Sequence, residues 1–121
     1  MKTLTIVFAG LILFSTGAYA GETLDADAVR KLITGNTVHG LTPNGKTPKI
    51  HFSSDGKVIR KGDDGTFEGT WNVNDDGTQC VTNIPGGCAK IVRNDDGTYD
   101  RVTMEGKVLL KWTSVVNGKD F

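Results

Sequence analysis

Hydrophobic positions repeat with two different periods along this chain. From Leu24 to Gly35 the apolar residues Leu24, Ala28, Leu32 and Ile33 fall on one stripe of a helix. Asp25 supplies an N-cap, the early acids suit the positive end of the helix, and Gly35 supplies a stop. A helix of about nine residues is too short to be stable alone, so it must pack on something larger.

From Asn36 onward the period is two. In Thr66–Val73, Phe67, Gly69, Trp71 and Val73 share one face, and in Lys107–Thr113 so do Val108, Leu110 and Trp112. Ile50 and Phe52 pair in the same way within Lys49–Ser53. Further strands are predicted at Asn36–Leu41, Lys57–Lys61, Gln79–Ile84, Cys88–Arg93 and Thr98–Met104. Asp55-Gly56, Asp64-Gly65, Asp76-Gly77 and Asp96-Gly97 punctuate them, and Asx-Gly tolerates the positive φ of hairpin turns. The expected fold is mainly β: one short N-terminal helix, then an antiparallel meander of about eight strands. A small lipocalin-like barrel and a two-sheet sandwich both satisfy the pattern. In a barrel, Phe52, Phe67, Trp71, Met104, Leu110 and Trp112 fill much of the interior and leave space for a slim ligand at most.

The opening of the chain has a different character. Met1 and Lys2 precede an uncharged, mostly apolar run from Leu4 to Phe14, and Ala18-Tyr19-Ala20 offers a small-x-small cleavage site. This predicts a secretory signal peptide over residues 1–20 and one small β-barrel-like domain over residues 21–121. The apolar run is shorter than the roughly 20 residues of a membrane span, so no stable membrane insertion is expected after cleavage. Export to the periplasm, or secretion, places Cys80 and Cys88 in an oxidising compartment, where two cysteines pair. Pro85-Gly86-Gly87 between them reads as a turn, which puts the pair on facing strands of one hairpin. The absence of Cys-x-x-Cys favours a structural disulfide over a redox centre.

Charge narrows the partners. Fourteen basic residues balance fourteen acidic ones across 121 residues, which lacks the basic surface of a nucleic-acid reader. Sixteen glycines against three prolines fit many tight turns within a single domain.

Candidate chemistry is sparse. Asp-Asp-Gly-Thr occurs at 63–66, 75–78 and 95–98, and Asn72-x-Asn74-x-Asp76-Gly77 copies the opening of a calcium loop. Position twelve of that loop is Asn83 and not a bidentate Glu, so hairpin chemistry is favoured and calcium stays open. His39 and His51 alternate against apolar neighbours and can share one side of adjacent strands, as an acid–base pair or a partial metal site. No third ligand is evident, so no metal site is predicted. Ser53, Ser54 and Ser114 lack a nucleophile motif and no phosphate loop is present, so neither a catalytic residue nor a cofactor is expected. Trp71, Tyr99 and Trp112, with Arg60, Arg93 and Arg101, are candidates for a ligand or partner surface, joined by His39 and His51. Tyr99 and Arg101 are the first choice, pointing either away from the core or into a polar mouth.

Residues 24–40 (Leu-x-Ala-Asp, then Leu-x-Thr-Gly-Asn-Thr-Val-x-Gly), Phe52 to Gly56, Gly69 to Val73, the cysteine pair and the closing Asn-Gly-Lys-Asp-Phe form an ordered set. The set resembles a family of small exported proteobacterial proteins known as a domain of unknown function. That resemblance implies a periplasmic address and a compact, disulfide-bonded β fold, and it implies no reaction. The chain is thus expected to be an exported, non-enzymatic binding or interaction module for a small ligand or an envelope protein. One alternative is an inhibitor or accessory subunit of an envelope enzyme, using a projecting hairpin such as Asn83–Gly87. Another is a small hydrolase using His39 and His51 with an Asp.

Overall fold

The computed structural model describes residues 21–121. The signal-peptide reading falls on residues 1–20 and lies outside the described residues. The helix expected near the start is α1 (Ala26–Ile33), and Asp25 caps it by accepting the Ala28 N–H at 2.8 Å. Asp27 in its first turn and Arg30 and Lys31 in its last complement the helix dipole. Val29 and Ile33 are fully buried on its inner side. Gly35, at φ 78°, ends the turn and donates its N–H to the Phe52 carbonyl at 2.7 Å, which fastens the helix to the sheet.

The meander is β2 (Asn36–Leu41), β3 (Lys49–Phe52), β4 (Lys57–Gly62), β5 (Gly65–Val73), β6 (Gln79–Thr82), β7 (Cys88–Arg93), β8 (Tyr99–Val102) and β9 (Val108–Asn117). Each strand pairs antiparallel with the next, and β9 also pairs with β2, so these eight close into a barrel. Closure decides between barrel and sandwich in favour of the barrel. One further strand, β1 (Glu22–Thr23), pairs with the last residues of β7, while β6 pairs with its first. Two residues are too few for alternation to reveal in a sequence.

A single turn design recurs at 42–46, 53–57, 74–78, 94–98 and 103–107. In the third, the Asn74 N–H donates to the Thr78 carbonyl and the Gly77 N–H to the Asn74 carbonyl, both at 2.9 Å. The fourth residue of each is a glycine, with φ between 87° and 91° at Gly45, Gly56, Gly77, Gly97 and Gly106. A side chain would be strained there, which is why glycine recurs. Two of the three Asp-Asp-Gly-Thr copies are this turn. The third differs, because Gly62 pairs directly with Gly65 across Asp63-Asp64.

Connections of a meander alternate between the two barrel ends, and α1 sits at the end of the 53–57 and 74–78 turns. Arg30 Nη2 donates to the Val73 carbonyl at 3.0 Å there, and Gly77 lies against Leu24 and Asp25. Leu24, Val29 and Ile33 join Val38, Ile50, Phe52, Val58, Ile91 and Trp112 in one core. The Phe52 ring meets Trp71 edge-on at 5.5 Å and Trp112 at 6.1 Å.

Three apolar residues leave the places that alternation assigns them. Met104 is 60% exposed because it belongs to the 103–107 turn, and Phe67 is 36% exposed at the rim beside Gly65. Val108 is turned outward because a bulge inserts Leu109 between the Val102–Val108 and Arg101–Leu110 pairs.

The disulfide joins Cys80 and Cys88, opposite each other on β6 and β7 with Cα atoms 4.0 Å apart. Closing that loop stabilises the fold by about 2–3 kcal/mol in the chain-entropy model. Reduction is therefore expected to lower the melting temperature by roughly 10 °C or more, with the sheet circular dichroism unchanged at room temperature. Calorimetry with and without reductant checks this. Equal melting temperatures, or thiols that alkylate in untreated protein, would contradict it.

Candidate functional site

With α1 covering one end, the barrel opens at the other. A cavity of about 280 Å³ occupies that mouth, floored by Phe52 and Trp112 and bounded by Leu109 and Leu110 of β9. Register places its polar members. Ile91, Arg101 and Leu110 stand opposite one another across β7, β8 and β9, so Arg101 shares the inner face with two apolar residues. Arg60 stands between Ile50 and Phe67 in the same way, and Gln79 lies between Val73 and Ala89.

Arg101 is 5% exposed. Its Nε donates to Gln79 Oε1 at 2.9 Å and its Nη2 to the Gln79 carbonyl at 2.8 Å. Nη1 donates to the Gly86 carbonyl and Nη2 to the Gly87 carbonyl, both at 2.6 Å. Every acceptor is neutral, and among the described residues no carboxylate pairs with this guanidinium. Burial lowers its pKa to about 10, so it still carries its charge at neutral pH. Gly86 permits the arrangement: at φ 132° it brings its carbonyl down, and a Cβ there would lie 3.0 Å from Arg101 Nη1. The Cys80–Cys88 bond holds the ends of the same loop.

Two cavity-lining residues carry a buried donor with no partner among the described residues, Gln79 at Nε2 and Trp112 at Nε1. The orientation of the glutamine is forced. A guanidinium can only donate, so Oε1 must face Arg101 and Nε2 must face elsewhere. Arg60 also lines the cavity, with Nη1 3.4 Å from Asp64 Oδ1.

Of the candidates from sequence, Arg60, Arg101 and Trp112 meet at this site, and Arg101 takes the inward of its two expected orientations. Tyr99 is half-buried with its ring 6.5 Å from Trp112. Trp71 has its indole N–H occupied by the Ser53 carbonyl at 2.9 Å, near the α1 end. Arg93 pairs with Glu22 at the surface. Gln79 was not singled out from sequence, although its alternation with Val81 was enough to place it inside. The Asn83–Gly87 segment is exposed, but its two glycine carbonyls are tied to Arg101.

His39 and His51 do share one face, the outer one, and the C-terminal segment lies across it. His39 Nε2 is 2.6 Å from Asp120 Oδ2, and His51 Nδ1 is 3.1 Å from Thr37 Oγ1. Thr37 donates to the Gly118 carbonyl at 2.7 Å and accepts the Asp120 N–H at 3.1 Å. Because the single hydroxyl proton goes to Gly118, His51 must donate from Nδ1. Ser114 stands opposite His39 in the β2–β9 register, and no hydrogen bond joins them among the described residues. Among the described residues, no three His, Cys, Asp or Glu side chains gather as a metal site.

The repeated aspartates serve their own turns. Asp76 Oδ1 accepts from the Thr78 N–H and hydroxyl at 3.0 and 2.7 Å, and Asp96 repeats this with Thr98 at 3.0 and 2.6 Å. No helix among the described residues is long and apolar enough to cross a membrane. No protein-family model matches the sequence and no curated protein does, so the site is read from its own side chains.

The Thr78 backbone N–H holds the Asp76 carboxyl below its ordinary 3.8, and the Thr98 hydroxyl does the same for Asp96. A depressed carboxyl adds stability above its unfolded pKa and loses it as pH falls through the folded value. The urea midpoint should therefore drop between about pH 4 and pH 2. The double variant Asp76→Asn, Asp96→Asn, which keeps both acceptors, should show a shallower drop. Identical slopes for variant and parent would rule these turns out as its source.

Proposed function

We propose that the chain is exported to the periplasm and works there as a non-enzymatic binding module that holds a small ligand in the barrel mouth. The observation that carries this reading is the 280 Å³ cavity, enclosed by a closed barrel yet walled partly by unpartnered donors. Native interiors are packed and their polar groups paired, so a cavity lined by residues with unpaired N–H groups is atypical of a purely structural core. The signal-peptide pattern of residues 1–20 and the disulfide both suit export.

The outer-face histidines do not suit a hydrolase as well. His39 and Asp120 form a close pair, yet the polar groups around them serve to seat the C-terminal segment. Binding in the mouth is accordingly independent of them.

Native mass spectrometry on protein taken from the periplasm without refolding tests the proposal. A reproducible small-molecule adduct is expected, retained when His39 and His51 are both replaced by Ala. It should be lost in Leu109→Trp, which fills the mouth from the β9 bulge. A bare mass, or an adduct that Leu109→Trp leaves untouched, would overturn the mouth as the binding site.

A further inference from the structure

The barrel mouth carries an imbalance of charge and hydrogen bonding that specifies its occupant. Buried charges in proteins are normally paired, and Arg101 is not. Four of its five N–H donors reach neutral oxygens and the fifth, on Nη1, has no described partner. Gln79 Nε2 and Trp112 Nε1 are unpaired as well, and both residues are fully buried in the cavity wall. Every unsatisfied group named here is a donor. No acidic residue lines the cavity, and its second cation, Arg60, already has Asp64. The remaining wall is almost wholly apolar, with Phe52, Val81, Leu109 and Leu110.

From this we infer that the ligand is a monocarboxylate with a slim apolar tail, its carboxylate accepting from Arg101, Gln79 and Trp112. The inference rests on the proposal that the mouth is a binding site and adds the chemical class of what enters. A single unpaired cation matches a single negative charge, which disfavours a dianion such as a phosphate monoester. A cavity of about 280 Å³ has room for a small ligand with a short apolar tail. Arg101, Gln79 Nε2 and Trp112 Nε1 can only donate, so the ligand is inferred to bring their acceptors. The disulfide and the Gly86 and Gly87 carbonyls fix the guanidinium in advance, so little ordering remains to oppose binding.

Calorimetric titration of the whole mature chain with sodium octanoate, 1-octanol and octylamine tests this. Octanoate is expected to bind at one site per chain, octanol at least about tenfold more weakly, and octylamine not at all. Gln79→Glu sets a carboxylate of the protein's own against Arg101. It should weaken octanoate by about tenfold or more and weaken octanol distinctly less, with no fall in melting temperature. The indole N–H resonance of Trp112 should move on octanoate addition.

Equal affinity for octanoate and octanol would overturn the carboxylate while leaving the mouth a binding site. Octanoate binding that survives Gln79→Glu would place the anion elsewhere and also overturn it. Failure of all three ligands would reject this ligand class, whereas the native adduct separately decides whether the mouth binds anything. If Gln79→Glu does not fold, the three-ligand comparison on the unaltered protein decides alone.

Discussion

Strand β9 is hydrogen-bonded along both edges, to β2 and to β8, and the rest of the structure depends on that double pairing. Left open between β2 and β9, the meander would expose those two strands as unpaired edges and spread its apolar face. Closing it sets the Val38–Val115 and Arg101–Leu110 registers, and through them decides which side chains point inward. Each of the two β9 pairings contains a register shift, at His39/Gly40 and at Arg101/Val102. Such shifts bend the strand locally, which helps a ten-residue strand serve both neighbours. An eight-stranded barrel is just wide enough for side chains to fill, or to hold one small ligand. Here the helix supplies Val29 and Ile33 to one end only, so the filled half and the open half of the interior follow from where the chain enters.

The open half contains a tension between stability and placement. A guanidinium removed from water needs strong acceptors, and this one receives four dipoles and no charge. The lowered pKa is the thermodynamic trace of that arrangement, since burial opposes the charged form. The surrounding structure is committed to it all the same. The β6–β7 loop turns two carbonyls toward Arg101, a glycine makes the approach possible, and the disulfide closes the loop behind them. Apolar residues of similar volume would commonly pack as well without the desolvation cost. Its contribution to folding alone therefore does not account for the charge.

Much of the scaffold was legible in the sequence, because hairpin signals are local. Asn36–Leu41 and Cys88–Arg93 form strands with the expected bounds, the helix falls within its predicted stretch, and the cysteines pair across one hairpin. Asx-Gly turns carry their geometry in two residues, so they can be read without a partner. What could not be read was non-local. Closure depends on the pairing of β2 with β9, whose mates such as Val38 and Val115 lie far apart in the chain. Val108 was misplaced because a bulge interrupts strict alternation, and Met104 because a turn residue was counted as strand. Arg101 showed the opposite difficulty. Alternation allowed it inside, but the residue type argued for the surface, and only the neighbouring strands decide between those two.

The two polar clusters of the barrel show why residue type alone is a poor guide to a site. On the outer face, His39, His51, Thr37 and Asp120 have the composition of chemistry, yet their hydrogen bonds close among themselves and the C-terminal segment. Thr37 Oγ1 alone meets three partners there, so that cluster has its principal bonds already made. On the inner face, Arg101, Gln79 and Trp112 have an unremarkable composition and an unbalanced set of bonds, all surplus on the donor side. A satisfied cluster can be explained by the fold that contains it. An unsatisfied one, held beside a disulfide-bonded loop, is not explained by the described fold alone. The proposed binding therefore rests on the inner face, through its surplus of donors.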